Sequence, residues 1–307
     1  MTRSLVAVAP DCWRRPALAD AVVRGGGTLS APEQATGLVW AEPAQAHLIG
    51  DFVDAHGGID WVQLPYAGIE PVADIVTARP SIEWYCGKGV YAEPVAEHAL
   101  MLTLAGLRGM AAYARTDRWS TPQGRNLLGA SVTVLGGGGI AESLLRLLAP
   151  FGASVTVLRN RPQPMEGAAR VVGPAALAEV LAGTDVLVLA LALTPDTAGI
   201  VGAAELAALP AHAWVVNVAR GGHIVTDDLV TALRSGQIGG AALDVTDPEP
   251  LPQGHPLWTL PNCLITPHIA NTPEMGLALL ADRVAANVAR RIAGEPLIGP
   301  VFVELGY

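Results

Sequence analysis

Three segments of the chain place an ionisable side chain just beyond a short apolar run. VVNVAR ends in Arg220, ALDVTDPE reaches Glu249, and LITPH reaches His268. A guanidinium is a permanently charged planar fork, suited to gripping a carboxylate and polarising the carbonyl beside it. Gly221 and Gly222 leave room next to that fork. Hydride reduction of a ketone needs a proton for the developing alkoxide, a task an imidazole performs well near neutral pH. A carboxylate on the other ring nitrogen holds the tautomer and favours the protonated ring, so His268 and Glu249 are a candidate pair. Taken singly, each residue also has an ordinary reading: Arg220 in a surface ion pair, Glu249 in a Pro-rich turn, His268 as a satisfied loop histidine.

A fourth segment, VTVLGGGGIAESLLRLL from Val132 to Leu148, puts four glycines after a strand-like run. Gly136, Gly138 and Ala141 occupy the first, third and sixth positions of a dinucleotide-binding fingerprint. There the first residue makes a tight turn, the second lets the backbone approach a pyrophosphate and the third lets helix and strand pack closely. A helix is predicted over 140–149, so the backbone at Gly139 and Ile140 offers free amides at a positive dipole end. A glycine-rich turn alone is a weak signal, but here a strand precedes it and a second strand, SVTVL, follows the helix. That second strand ends in Arg159, Asn160 and Arg161, where a carboxylate for the ribose hydroxyls would stand. A missing acid removes repulsion towards a 2′-phosphate, and two guanidiniums offer it charge-assisted hydrogen bonds. This favours NADPH over NADH; two solvated loop arginines are the alternative, which leaves the choice of dinucleotide open.

The elements that must position these groups follow a βαβ rhythm. SLVAVA, GLVWA, WVQLP and SIEWY form one series of predicted strands; SVTVLG, SVTVLR, DVLVLAL, AWVVNV, GGAALDV and CLITP form a second. Their nearly continuous apolar character is that of parallel strands covered on both faces. Between the series, Pro94 is followed by VAEHALMLTLAGLRGMAAYA, whose apolar positions fit one long helix. A final helix, MGLALLADRVAANVARRIAG, ends at Gly294 and Pro296. It is expected to pack back on the first domain.

Composition narrows the function classes. The 307 residues are 51% hydrophobic and 15% charged, the balance of a chain with a sizeable core rather than a disordered one. The longest apolar run, Val186 to Leu193, falls well short of the roughly 20 residues needed to span a bilayer, so no membrane association is expected. The start of the chain lacks a secretory pattern, and a cytoplasmic location is the expectation. Cys12, Cys86 and Cys263 are odd in number and without ligand spacing, which predicts neither disulfides nor a metal site. Net charge is −9 and no basic cluster is interleaved with aromatics, so nucleic acid is not an expected partner. The remaining histidines, His47, His56, His98, His212, His223 and His255, have no ordered acidic partner in the pattern and read as structural.

The phrases NVARGGHIVTDDLVTAL, ALDVTDPEPLP and ITPHIAN, in that order after the glycine fingerprint, resemble the D-isomer-specific 2-hydroxyacid dehydrogenase family. VAEHALMLTLA resembles its interdomain helix and LPYAGIE its substrate-domain loop, so the likeness runs over most of the chain. It implies an α/β protein of two Rossmann-like doubly wound parallel-sheet domains with a cleft between them. The substrate domain would comprise residues 1–93 plus 275–307, and the dinucleotide-binding domain residues 94–274. The resemblance assigns Arg220 to the substrate carboxylate and carbonyl, His268 to acid/base work and Glu249 to its support, with no metal. It assigns the substrate carboxylate to the loop of Tyr66, Ala67 and Gly68, Thr194 and Pro195 to the cofactor lining, and Asp244 to the nicotinamide amide. A homodimer is the implied assembly. Glu70 stands where the family usually has Asp and Cys86 where it has Asn; these, with Tyr66, Tyr85 and Lys88, bear on substrate preference. The expected reaction is hydride transfer between NADPH and a small 2-keto acid such as glyoxylate, hydroxypyruvate or pyruvate. Relatives of the same fold that take hydride from formate or phosphite, or that sense dinucleotides as corepressors, are the alternatives.

Overall fold

The computed structural model describes residues 4–305. They form two compact units, one running to Tyr91 and resuming at Thr272, the other spanning Ala92–Asn271. The passages thus come after Tyr91 and Asn271, where helices begin at Ala92 and Pro273, against the expected 93 and 274. Pro94 sits inside the first turn of its helix, where a missing N–H removes no helical hydrogen bond.

The first unit contains β1 (Leu5–Ala9), α1 (Arg15–Arg24), β2 (Thr28–Leu29), β3 (Gly37–Trp40), α2 (Ile49–Ala55), β4 (Trp61–Gln63), α3 (Ala73–Thr77) and β5 (Glu83–Tyr85). All strands are parallel, in the order β2-β1-β3-β4-β5. β3 and β4 are buried throughout and β1 nearly so, which is why β1 and β3 read as continuous apolar runs. β2 has two exposed residues at the sheet edge and carries no such signal. The unit is completed by the last long helix, Pro273–Ala293, labelled α10 below, which lays Leu280, Val284 and Val288 against Leu18 and Val22 of α1. Thr272 caps its start through Met275 N, and Gly294 ends it with φ of 71°.

The second unit opens with α4 (Ala92–Leu107) and the short α5 (Met110–Tyr113), followed by β6 (Ser131–Leu135), α6 (Gly139–Leu148), β7 (Ser154–Leu158) and β8 (Arg170–Val172). Then come α7 (Leu177–Leu181), β9 (Val186–Leu189), α8 (Ala203–Ala208), β10 (Trp214–Asn217), α9 (Thr226–Ser235), β11 (Gly240–Leu243) and β12 (Cys263–Ile265), before α10 in the first unit. Seven parallel strands lie in the order β12-β11-β10-β9-β6-β7-β8. Strand order therefore reverses between β6 and β9, the point at which doubly wound sheets bind ligands beyond their carboxyl edge. One apolar cluster covers each face: Leu135, Leu187, Val215 and Leu243 with their neighbours on one, Val134, Val188, Val216 and Ala242 on the other. β8 was not anticipated, because three residues with an exposed arginine make no apolar run. Among the described residues, no helix is long and apolar enough to cross a membrane.

A buried amide pair ties the two sequence-distant parts of the first unit together. Asn287 Nδ2 donates to Gln63 Oε1 at 2.7 Å and to Ile298 O at 3.0 Å, and Asn287 Oδ1 accepts from Ile298 N at 2.8 Å. Gln63 Nε2 in turn donates to Leu64 O at 2.9 Å. Every polar atom of Asn287 is thus matched within the core, and removing it strands three partners. Asn287→Ala is expected to destabilise this unit by about 2–4 kcal/mol, measured by urea unfolding, with little change in the second unit.

Candidate active site

The glycine turn occupies the switch point of the second unit. Gly136 follows β6 with φ of 106°, and a Cβ there would lie 2.3 Å from Ala190 O beyond β9, so glycine is required twice over. At Gly138 a Cβ would meet nothing within 4 Å, so the packing of the unit does not itself demand glycine there. An open approach to bare backbone is what a pyrophosphate needs at that position. Gly138 caps α6 without a side chain, and the first helical hydrogen bond is Glu142 N to Gly138 O. The amides of Gly139 and Ile140 therefore lie in a helical first turn with no carbonyl before them.

Arg159, Asn160 and Arg161 follow β7, the strand next to β6. The stem of Arg159 lies across the turn, 2.6 Å from where a Cβ of Gly137 would stand. Thr194 and Pro195 lie in the loop after β9, on the other side of the switch point. Thr197 Oγ1 orders that loop by accepting from Thr194 N and donating to Ala192 O, each at 2.8 Å. The donor set suits a dinucleotide: a glycine turn, a helix start and an arginine at the edge of the turn.

Arg220 comes from the neighbouring strand, β10. Buried Asn217 shapes its turn, accepting from Ala219 N at 3.0 Å and donating to Arg220 O at 2.8 Å. A Cβ on Gly221 would fall 2.0 Å from the Thr246 backbone, so only glycine lets this turn lie against the loop after β11. Fully buried His223 sits beneath it, with Nδ1 3.2 Å from Arg220 N and Nε2 3.2 Å from Ala192 O. Nδ1 also stands 2.9 Å from Arg220 O, so both ring nitrogens face backbone groups of these two loops. His223 thus joins the Arg220 turn to the loop of Thr194.

Glu249 and His268 follow β11 and β12, the next two strands along the sheet. Glu249 Oε1 is 2.6 Å from His268 Nδ1, and the two side chains are 41% and 51% exposed. A carboxylate at that distance fixes the proton on Nδ1 and leaves Nε2 as the nitrogen that exchanges with solvent or substrate. His268 has φ of 53°, a left-handed conformation that costs a non-glycine residue about 1–2 kcal/mol and persists only where its surroundings hold it.

What holds it is Asp244. The Asp244 carbonyl accepts from His268 N at 2.8 Å. Its buried carboxylate accepts from Thr266 Oγ1 at 2.6 Å, Ile269 N at 2.9 Å and Ala270 N at 3.0 Å. His98 Nε2 of α4 completes the set at 3.2 Å. The carboxylate expected near a nicotinamide amide is therefore engaged by the loop of His268. Burial opposes its ionisation, but the hydrogen bonds from His98, Thr266, Ile269 and Ala270 outweigh burial and bring its pKa down to about 2.

In the first unit, the Tyr66, Ala67 and Gly68 loop follows β4 at the carboxyl edge of that sheet. Gly87 N donates to Tyr66 O at 2.6 Å, and the Tyr91 hydroxyl donates to Pro65 O. Among the described residues the amides of Ala67 and Gly68 make no hydrogen bond. Tyr66 Oη is buried without a partner, and burial pushes its pKa up.

The reading of six histidines as lacking an acidic partner is corrected at three of them, and His56 Nε2 lies 3.8 Å from Glu33 Oε1. His98 meets Asp244, and His212 Nε2 lies 2.6 Å from Asp185 Oδ1. The partners lie far along the chain, Asp244 146 residues after His98 and Asp185 27 residues before His212, so no local spacing announces them. His98, Thr266, Asn217 and His223 are the site's supporting residues that sequence reasoning passed over.

Because the folded Asp244 pKa lies below its ordinary value of 3.8, the stability it contributes is present above about pH 4. It is lost as pH falls towards 2. Acid unfolding of Asp244→Asn is expected to lack this component, about 2 kcal/mol, so its stability changes less between pH 4 and 2 than that of the unsubstituted chain.

A family model described as D-isomer specific 2-hydroxyacid dehydrogenase, NAD binding domain, matches residues 98–270, the stretch that carries every feature of the second unit's site. An uncharacterized protein of Corynebacterium melassecola is 40% identical over 84% of this chain and 86% of its own length. A protein of Serratia proteamaculans named glyoxylate/hydroxypyruvate reductase A is 36% identical over 70% of this chain and 69% of its own. Among solved structures, a D-isomer specific 2-hydroxyacid dehydrogenase from Xanthobacter autotrophicus in complex with NADPH and MES covers both chains fully, at TM-score 0.84 and 28% identity. The second unit is thus a nicotinamide dinucleotide-binding domain, and the chain belongs to the D-isomer specific 2-hydroxyacid dehydrogenase family of enzymes.

Proposed function

We propose that this enzyme reduces a small 2-keto acid of the glyoxylate, hydroxypyruvate or pyruvate kind to its 2-hydroxy acid, with NADPH as the hydride source. The observation that carries the reading is the pairing of His268 with Glu249 beside Arg220, at the edge that also presents the glycine turn. The name of the Serratia relative and the NADPH of the Xanthobacter structure support it.

When bound, the reduced dinucleotide supplies a hydride to the keto carbon. Arg220 holds the substrate carboxylate and draws electron density towards the carbonyl oxygen. His268 delivers the Nε2 proton to that oxygen as it gains charge, and the Glu249 carboxylate keeps Nδ1–H in place as the ring becomes neutral. Gly136, Gly138, Gly139 and Ile140 approach the pyrophosphate through their backbone, while Thr194 and Pro195 line the nicotinamide side. Arg159, Asn160 and Arg161 take the 2′-phosphate. The amides of Ala67 and Gly68, with Tyr66 beside them, offer donors to the substrate carboxylate.

A homodimer is part of the proposal. Trp119 is 100% exposed, and Met101 and Met110 of the second unit are also open to solvent, apolar side chains that a second copy would cover. A cytoplasmic setting goes with the free thiols of Cys12, Cys86 and Cys263.

Three experiments test this reading. Loss of nicotinamide absorbance is expected on mixing the enzyme with NADPH and glyoxylate, hydroxypyruvate or pyruvate. Arg159→Ala with Arg161→Ala should raise KM for NADPH by about 10- to 100-fold while moving that for NADH far less. An equal change for both dinucleotides would remove the 2′-phosphate assignment, and no oxidation with any keto acid would remove the activity. Sedimentation equilibrium should give twice the chain mass of 31.7 kDa, with Trp119→Glu moving it towards the monomer; a monomer at all concentrations would overturn the dimer.

A further inference from the structure

We propose that His98 is a positioning residue for His268, donating its Nε2 proton into the Asp244–Thr266 pair that fixes the loop on which His268 stands. The inference rests on the reading of His268 as the proton donor for its effect on turnover, though not for its effect on the loop.

The proton on His98 Nε2 follows from the partners it faces. Thr266 has one hydroxyl proton, and Thr266 Oγ1 donates it to Asp244 Oδ1 at 2.6 Å. His98 Nε2 stands 3.0 Å from that hydroxyl oxygen and 3.2 Å from Asp244 Oδ1, so both of its neighbours can only accept. The other donors to the carboxylate, Ile269 N and Ala270 N, lie on the loop itself. His98 is the one side chain among these donors that comes from a rigid element outside the loop, a 16-residue helix packed against the sheet. It therefore references the loop to the domain rather than to itself.

The loop needs such a reference. His268 stands in a left-handed conformation after Pro267, which offers no amide of its own. It is held through the carbonyl of the same Asp244 whose carboxylate His98 touches. Loss of the His98 proton leaves Asp244 Oδ1 short of a donor in a buried setting, where such a loss is felt most. The predicted result is a His268 ring that no longer keeps one place against Glu249. An error of about 1 Å in the placement of a reacting group can lower turnover by up to about 100-fold.

The test compares three variants. His98→Leu keeps the bulk and removes the donor, His98→Asn keeps an amide too short to reach Asp244, and His98→Gln carries an amide N–H to about the place of Nε2. Nitrogen-15 spectra of histidine-labelled enzyme read the His268 ring directly, and keto-acid reduction with NADPH reads its consequence. His98→Leu and His98→Asn are expected to lose the single Nδ1–H tautomer of His268 and to lower kcat at least about tenfold, with NADPH affinity within about twofold. His98→Gln is expected to restore both. An unchanged His268 spectrum in the folded His98→Leu or His98→Asn variant would overturn the proposal, as would a His98→Gln variant as impaired as His98→Leu. If the unsubstituted enzyme reduces none of the keto acids, the spectra alone decide the positioning role, and the failure belongs to the proposed activity.

Discussion

Parallel strands can be joined only by a crossover that carries the chain back to the edge from which the last strand began. Each strand of the second unit therefore delivers its following loop to one common edge. The glycine turn after β6, the Thr194 loop after β9, Arg220 after β10, Glu249 after β11 and His268 after β12 are neighbours for this reason alone. Nothing in the chemistry of those side chains draws them together over more than 130 residues. The hydrogen-bonded ladder does, and its apolar faces, covered on both sides, are what keep it in register.

Given that edge, the second requirement is precision, and it is met from below by buried polar groups. Asn217 and His223 hold the turn of Arg220; Asp244, Thr266 and His98 hold the loop of His268. In each case the solvent-facing group stands on a hidden one held by hydrogen bonds. A half-exposed imidazole on a loop would otherwise sample many rotamers, and its left-handed backbone would relax. The close approach of Gly221 to the Thr246 backbone locks the two loops against one another, so the arginine and the glutamate share a frame.

Much of this was legible in the residues themselves. The long strands show as apolar runs because both of their faces are covered, and the glycine turn shows because its context of strand, helix and strand is local. The order of the three ionisable strand ends is what made the family resemblance specific. β2 and β8 escaped because two or three residues at a sheet edge, most of them open to solvent, carry no periodicity. His98 escaped because its partner lies far along the chain, brought near only by the packing of α4 on the sheet, and a histidine on a helix face looks the same whether or not an acid waits opposite. The resemblance assigns Asp244 to the nicotinamide amide, but the hold of its carboxylate on Thr266, Ile269 and Ala270 depends on which groups the next loop turns towards it, and a sequence does not display that.

The amide pair of Asn287 and Gln63 has a consequence for how the molecule is made. The second unit is one continuous stretch, complete once Asn271 has been synthesised, whereas the first needs β1 to β5 and α10, which are separated by that whole stretch. As the chain leaves the ribosome, the later-numbered unit can close while the earlier one still shows Leu18, Val22 and Trp61 to solvent, waiting for Leu280, Val284 and Val288 to arrive. Order of birth and order of completion are therefore opposite in this protein. The last helix acts as the closing piece of the first domain, and the interval before its arrival is when that domain's apolar face is most open to chaperones and to its neighbours.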